Sequence, residues 1–275
     1  MVAAWATLTL SALALWALLF VYVFSGLQQQ RTNSVLYSQF RQELTAEQTV
    51  APIGGIITPG APVALIEAPI DGLRSMVIVE GTSSGNLMDG PGHKRDTPLP
   101  GQPGTSEIYG RSVSYGAPFA NIDQLRRGQK IKVTTGQGVF TYLVEGKRKP
   151  GDPKPYMLGV GGIGKSRMSL ITSAGSSIAP TDTLIVDTII DGDPQPAPRG
   201  RPTNIPGDET AMKGDTSQVV EVVLWLEALI LVAGGIVWAR VRWGKKQAWV
   251  VGVPVLLATL WLTSNSVMLA LPNLI

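Results

Sequence analysis

The sequence contains no cysteine. That excludes a disulfide framework, a thiolate metal site and a thiol nucleophile. It contains a single histidine, His93, so imidazole chemistry is confined to one position. Charge is scarce as well: 16% of residues are charged, against about 25% in an ordinary soluble domain. The deficit lies at the two ends of the chain, while the middle has a soluble composition. The net charge of +3 is small. The basic residues form no stripe with interleaved aromatics, so nucleic acid is not an expected partner. No ligand cluster points to a metal or cofactor, and no internal repeat is present. What is plentiful is glycine and proline, 31 and 20 residues, which favours turns and β-structure over helical packing.

Three apolar runs are long enough to cross a bilayer of ~30 Å at 1.5 Å per residue. The first, residues 2–24, has no charged side chain and ends in aromatic and β-branched residues. It reads as an uncleaved anchor rather than a signal peptide, which has a shorter apolar core and a small-residue cleavage site. The other two are residues 219–239 and 248–271. Between them stand Arg240, Arg242, Lys245 and Lys246, flanked by Trp238, Trp243 and Trp249. Four basic residues in so short a loop mark it as cytoplasmic. The middle of the chain and the C-terminus are then expected outside the cell membrane. Glu227 sits about eight residues into the second span, where an ionisable group is costly and commonly faces a partner. Ser264, Asn265 and Ser266 are candidate partners within the chain, and a helix of another protein is the alternative.

The expected organisation is a membrane helix over 1–25, a juxtamembrane helix and linker over 26–61, a β-domain over 62–190 and a Pro/Gly-rich tether over 191–218. A second membrane helix covers 219–239, a basic loop 240–247 and a third membrane helix 248–275. Leu36, Phe40 and Leu44 recur every fourth residue and form one apolar helical stripe. Within the β-domain, runs at 63–66, 76–79, 106–109, 130–135, 139–145, 168–172 and 183–190 are rich in Val, Ile, Thr and Tyr. Short strands punctuated by turn residues argue for a barrel or sandwich. Gly136-Gln137-Gly138 suits a tight hairpin.

Several stretches resemble a known family. Val79-Glu80-Gly81-Thr82, Gly90-Pro91-Gly92-His93, the run from Thr97 to Gly104 (TPLPGQPG) and Tyr115-Gly116-Ala117-Pro118-Phe119 are similar to class E sortases, an actinobacterial type. So are Val133-Thr134-Thr135 and Phe140-Thr141-Tyr142. The resemblance covers about residues 60–190 and implies a mainly β fold, a closed sortase-like barrel of about eight strands. Sortases are transpeptidases whose cysteine thiolate is assisted by a histidine and an arginine, and this resemblance allows each position to be compared. Where the family histidine follows a glycine, this chain has Arg111 after Gly110. The family cysteine position is taken by Ser173, and the family arginine position by Asp182 or Thr183.

An arginine stays protonated and cannot serve as a base near neutral pH. A serine hydroxyl needs a base to act as a nucleophile, and no histidine occupies a matching place. His93 is expected on the surface or in a turn. Lys165, eight residues before Ser173, is expected to be solvated. Arg111 and Asp182 are expected to form a salt bridge plugging the cleft. The resulting expectation is a non-catalytic sortase-like protein serving as an extracytoplasmic scaffold or accessory subunit. Its partner would be an integral-membrane or cell-envelope protein, with a transporter permease as one candidate. A residual Ser173-dependent transpeptidase or hydrolase, and a module binding extended peptides without chemistry, stay open as alternatives.

Overall fold

In the computed structural model, residues 2–45, 51–154, 164–175 and 180–275 are described, residues 2–6 by their backbone alone. The chain divides into two compact units. One comprises Met1–Phe20 and Gly214–Pro272, the other Val21–Lys213 together with Asn273–Ile275.

The first unit is helical. It holds helix α1 (Val2–Leu19) and the C-terminal pair α4 (Gln218–Arg242) and α5 (Lys245–Ala270); after a π-helical turn (Phe20–Phe24) the chain continues in α2 (Ser25–Thr45), which belongs to the second unit. Three helical stretches are long and apolar enough to cross a membrane. At 1.5 Å per residue the 25 residues of α4 span about 37 Å. Helices α4 and α5 pack on each other, with Gly252 giving Ile236 room to approach. The α4–α5 turn is only Trp243-Gly244, so Arg240 and Arg242 end one helix and Lys245 and Lys246 begin the next. Trp16 Nε1 donates to Ser264 Oγ at 3.0 Å, and the Phe20 and Trp261 rings meet edge-on at 5.3 Å. Glu227 is exposed on α4 and has no partner among the described residues. Of the three candidates proposed for it, Ser264 is used by Trp16, while Ser266 donates to Glu221 at 3.3 Å. Within this pair of helices it is Glu221, six residues nearer the start of α4, that meets Ser266.

The second unit is a closed eight-stranded barrel in the order β1-β2-β3-β4-β7-β8-β6-β5. Its strands are β1 (Pro62–Glu67), β2 (Met76–Glu80), β3 (Gly92–His93), β4 (Gly104–Tyr109), β5 (Lys130–Thr135), β6 (Gly138–Arg148), β7 (Ser166–Gly175) and β8 (Pro180–Ile190). Strand β5 alternates Lys130 out, Ile131 in, Lys132 out, Val133 in, as a half-buried strand must. It turns into β6 at the expected hairpin, where Thr135 faces Gly138. Ile66, Ile78, Ile108, Val133, Leu170 and Val186 belong to the closed core. Helix α2 lies against β1, β2 and the short helix α3 (Asn86–Asp89). Phe40, from its predicted stripe, is buried, whereas Leu44 is exposed.

Two segments expected to be loose are held. In the linker, Ile57 joins the core, and Gln102 Nε2 donates to the Ile53 carbonyl at 2.6 Å. Of residues 191–218, expected to be a tether, 191–213 belong to the barrel unit and run along it as a strap. Gln195 N donates to Gly101 O at 2.8 Å, and Gln137 Nε2 to Pro196 O at 2.8 Å. Arg95 grips both carboxylate oxygens of Glu209 at 3.0 and 2.6 Å, the bidentate geometry that makes such pairs strong.

Candidate functional site

Strands β4 and β7 run parallel, with Tyr109 beside Ile171. Gly110 N extends the pairing to Ile171 O at 3.0 Å, and Thr172 Oγ1 closes it on Gly110 O at 2.8 Å. These bonds set Arg111, just past the end of β4, next to Ser173 near the end of β7. A side chain at Gly110 would enter the Phe119 ring, so glycine is required there. The Tyr115-Gly116-Ala117 turn runs through positive φ at all three residues (51°, 73° and 43°), unusual for Tyr and Ala. It is pinned to α2 by Tyr115 N donating to Ser25 Oγ at 3.0 Å.

Arg111 is completely buried and is held by hydroxyl and main-chain oxygens. Its Nη2 donates to Ser84 O and Ser84 Oγ at 2.9 and 2.8 Å. Its Nη1 donates to Ser114 Oγ at 3.2 Å and to the Ile275 carbonyl at 2.6 Å, and its guanidinium lies 5.1 Å from the Tyr115 ring centre. Burial pushes the guanidinium down to about 10, an effect Tyr115 partly opposes, and it remains cationic at neutral pH.

The expected Arg111–Asp182 salt bridge is not formed. Asp182 Oδ2 pairs with Lys149 Nζ at 2.8 Å, and Oδ1 accepts from Thr183 N at 2.9 Å. Lys149 holds the Asp182 carboxyl below its ordinary range. The physical reason is strand register. Ser173 is paired with Thr183, and Asp182 with Ala174, so successive β8 side chains leave opposite faces of the sheet and Asp182 points away from the serine. Lys165 is also remote, at the far end of the ten-residue β7, roughly 26 Å along a strand rising ~3.3 Å per residue. It donates to Gly192 O at 3.0 Å.

Ser173 is in contact with a segment that sequence reasoning assigned to the third membrane helix. Helix α5 ends at Ala270, and Asn273-Leu274-Ile275 belongs to the barrel unit. Ser173 Oγ donates to Leu274 O at 2.9 Å. Ser112 N reaches the same oxygen at 3.1 Å and Ser112 Oγ at 3.3 Å, while the two hydroxyl oxygens lie 2.5 Å apart. The Leu274 side chain is fully buried among Leu87, Tyr109, Ile171 and Ile185. Asn273 Nδ2 donates to the carbonyls of Thr82 at 2.8 Å and Thr210 at 3.0 Å, with Asp208 O at 3.5 Å. Beside Ser173 a cavity of about 280 Å³ stays open, lined by Ser112, Phe119, Asp123, Pro180 and Leu184 among others.

His93, expected at the surface, is fully buried in β3. Its Nδ1 is 2.9 Å from Glu80 Oε2 and its Nε2 is 3.0 Å from Pro98 O. The two-residue strand is held between β2 and β4, which turns the imidazole inward onto Glu80. Arg201 of the strap completes the group, its Nη1 3.2 Å from Glu80 Oε1. Burial lowers Arg201 from its ordinary value, with Glu80 opposing. This cluster joins the strap to the barrel and lies apart from Ser173.

A closed eight-stranded barrel with this pairing is the sortase fold. Residues 66–186 match the family model of the sortase domain, so the barrel is sortase-like, and in sequence it is flanked by helices apolar enough to span a membrane. No curated protein matches the chain. Among solved structures, a sortase D5 transpeptidase from Clostridium perfringens is similar at 22% identity and a TM-score of 0.47, covering 59% of this chain and 99% of that one. Sortase E from Streptomyces avermitilis is similar at 30% identity and a TM-score of 0.41, covering 50% and 91%. Sortase E1 from Streptomyces coelicolor, solved with a tripeptide in its active site, is similar at 26% identity and a TM-score of 0.42, covering 50% and 93%.

Proposed function

We propose that the protein is a sortase-like membrane protein without transpeptidase chemistry, serving as an extracytoplasmic scaffold or accessory subunit of a larger membrane or cell-envelope assembly. The observation that carries this is the environment of Ser173. Its hydroxyl has another hydroxyl, Ser112, as its nearest polar neighbour and donates to a peptide carbonyl. A serine nucleophile needs a base within about 3 Å, and the lone histidine is bound up with Glu80 elsewhere. The basic residues at the α4–α5 turn support a cytoplasmic turn and an outward-facing barrel. The exposed Glu227 within an apolar helix supports a membrane partner, which would satisfy a group that lipid cannot. The assay is incubation of the full chain with a sorting-signal peptide, wild type against Ser173→Ala. No cleavage by either is expected, and Ser173-dependent cleavage overturns the proposal. The scaffold role is tested separately by purification in mild detergent, where a strictly monomeric, partner-free protein would contradict it.

A further inference from the structure

We infer that the cleft at Ser173 is a peptide-binding site whose resident ligand is the chain's own segment Asn273–Ile275, and that this segment competes with an extended peptide of the pattern carboxamide residue, branched aliphatic residue, any residue. The inference goes beyond the function proposed above and holds whether or not Ser173 retains chemistry.

Three independent features recognise the segment, and each selects a different part of it. The first is a carbonyl cradle. The Leu274 oxygen receives Ser112 N at 3.1 Å and Ser173 Oγ at 2.9 Å, and the Ile275 oxygen receives Arg111 Nη1 and Ser114 Oγ, both at 2.6 Å. These donors read main chain alone, which every peptide carries. The second is an apolar pocket. Leu274 is fully buried against Leu87, Tyr109, Ile171 and Ile185, so a branched aliphatic side chain is selected by volume. The third is an amide pocket. Three carbonyl oxygens converge on Asn273 Nδ2, an arrangement that accepts a donor and repels a carboxylate. Asn273 N also donates to Lys213 O at 2.9 Å, closing the main-chain contacts at the other end.

The buried cation supports the same assignment. Arg111 has no Asp or Glu partner among the described residues, and the segment supplies one of the oxygens that offset its cost of burial. Leaving such a charge with one fewer acceptor is unfavourable, so the cleft stays filled until another carbonyl takes that place. An incoming peptide must match the contacts it displaces, while the tethered segment enjoys a high local concentration. A trans peptide is therefore excluded from the intact chain and admitted once the segment is weakened.

The test is hydrogen exchange on the full chain in detergent, with and without millimolar acetyl-Asn-Leu-Ile-amide. In the wild type, the Ser112 amide is protected and the peptide changes nothing. In a variant lacking residues 273–275, exchange at Ser112 rises at least tenfold and the peptide restores protection. The corresponding peptide with Asp in place of Asn does not. Exchange in β5 and β6 reports whether the barrel is intact. If the deletion disturbs those strands, the milder Asn273→Asp decides, and it must raise exchange at Ser112 while β5 and β6 stay protected. Equal protection at Ser112 in wild type and in the informative variant shows that the segment is not the resident ligand. Failure of the peptide to restore protection shows that the cleft is not a peptide site. Either result overturns the inference, and neither bears on whether Ser173 cleaves a sorting peptide.

Discussion

Replacing Glu80 by glutamine keeps the shape of the side chain and removes its charge. Glu80 is fully buried, with His93 Nδ1 at 2.9 Å and Arg201 Nη1 at 3.2 Å, and the Arg201 side chain is only 13% exposed. The substitution leaves a guanidinium that cannot shed its charge facing an imidazole with no anion between them. Breaking a buried pair from one side costs about 3–5 kcal/mol. The lower end applies here, because Arg201 keeps some water and its approach to Glu80 lacks hydrogen-bond alignment. About 3 kcal/mol is a fifth or more of the 5–15 kcal/mol that holds a typical domain together.

All seven tryptophans lie outside the barrel, so indole fluorescence would miss this change. Pulse proteolysis of the barrel across a urea series reads it directly. With a slope of about 2 kcal/mol per molar urea, the midpoint falls by about 1.5 M. The same substitution in an Arg201→Met background is expected to cost less than about half as much, because the stranded cation is gone. A midpoint shift below about 0.3 M, or an undiminished cost in that background, would refute the reasoning.

Three further outcomes are expected. Tyr142→Phe removes the phenol oxygen that accepts from Gly101 N at 2.6 Å and bonds Ser166 at 2.7 Å. The buried N–H left behind costs about 2 kcal/mol, or about 1 M in the same urea assay. Leu274→Ala empties the aliphatic pocket at about 2–3 kcal/mol, so exchange at the Ser112 amide rises roughly 30- to 150-fold while the urea midpoint of the barrel hardly moves. Asp89 is raised from its ordinary value by burial, so the folded state holds its proton more tightly than the unfolded chain does. The ionised carboxyl therefore burdens the fold above that raised pKa, and the burden lifts as pH falls through it toward 3.8. Asp89→Asn should stabilise the barrel at pH 7, with an advantage that fades across that acidic window.

Seven of the eight strands carry enough β-branched and aromatic residues to be read from sequence. The eighth, Gly92-His93, is two residues long and exists because β2 and β4 flank it, so no local pattern marks it. That omission is why His93 reads as a turn residue when it is buried. The position of Asp182 fails for a related reason. Deciding between Asp182 and Thr183 needs the register of β8 against Ser173, and a one-residue choice reverses the face. Arg111 is visible as an unusual residue after Gly110, but its acceptors come from residues 84, 114 and 275. The natural guess for a buried cation is an Asp or Glu side chain, and main-chain oxygens and hydroxyls leave no charge signature to find. Residues 273–275 follow an apolar run and read as its continuation. Only the end of α5 at Ala270 separates them from it.

Two of the positions expected from the resemblance to carry replaced catalytic residues donate to one peptide segment. Arg111 reaches the Ile275 carbonyl, and Ser173 reaches that of Leu274. A thiol is a weak donor and a strong nucleophile, whereas a serine hydroxyl is the reverse unless a base activates it. A serine at position 173 therefore suits a residue that holds a carbonyl rather than attacks one. Ser173→Cys separates the two roles. If Ser173 serves as a donor, the substitution weakens one hydrogen bond by about 1 kcal/mol and speeds exchange at the Ser112 amide about fivefold, without conferring cleavage of a sorting peptide. Unchanged exchange would mean that the hydroxyl contributes nothing to holding the segment. Cleavage by the variant would mean that the cleft lacks only its thiol, and that Arg111 beside it is no obstacle to chemistry.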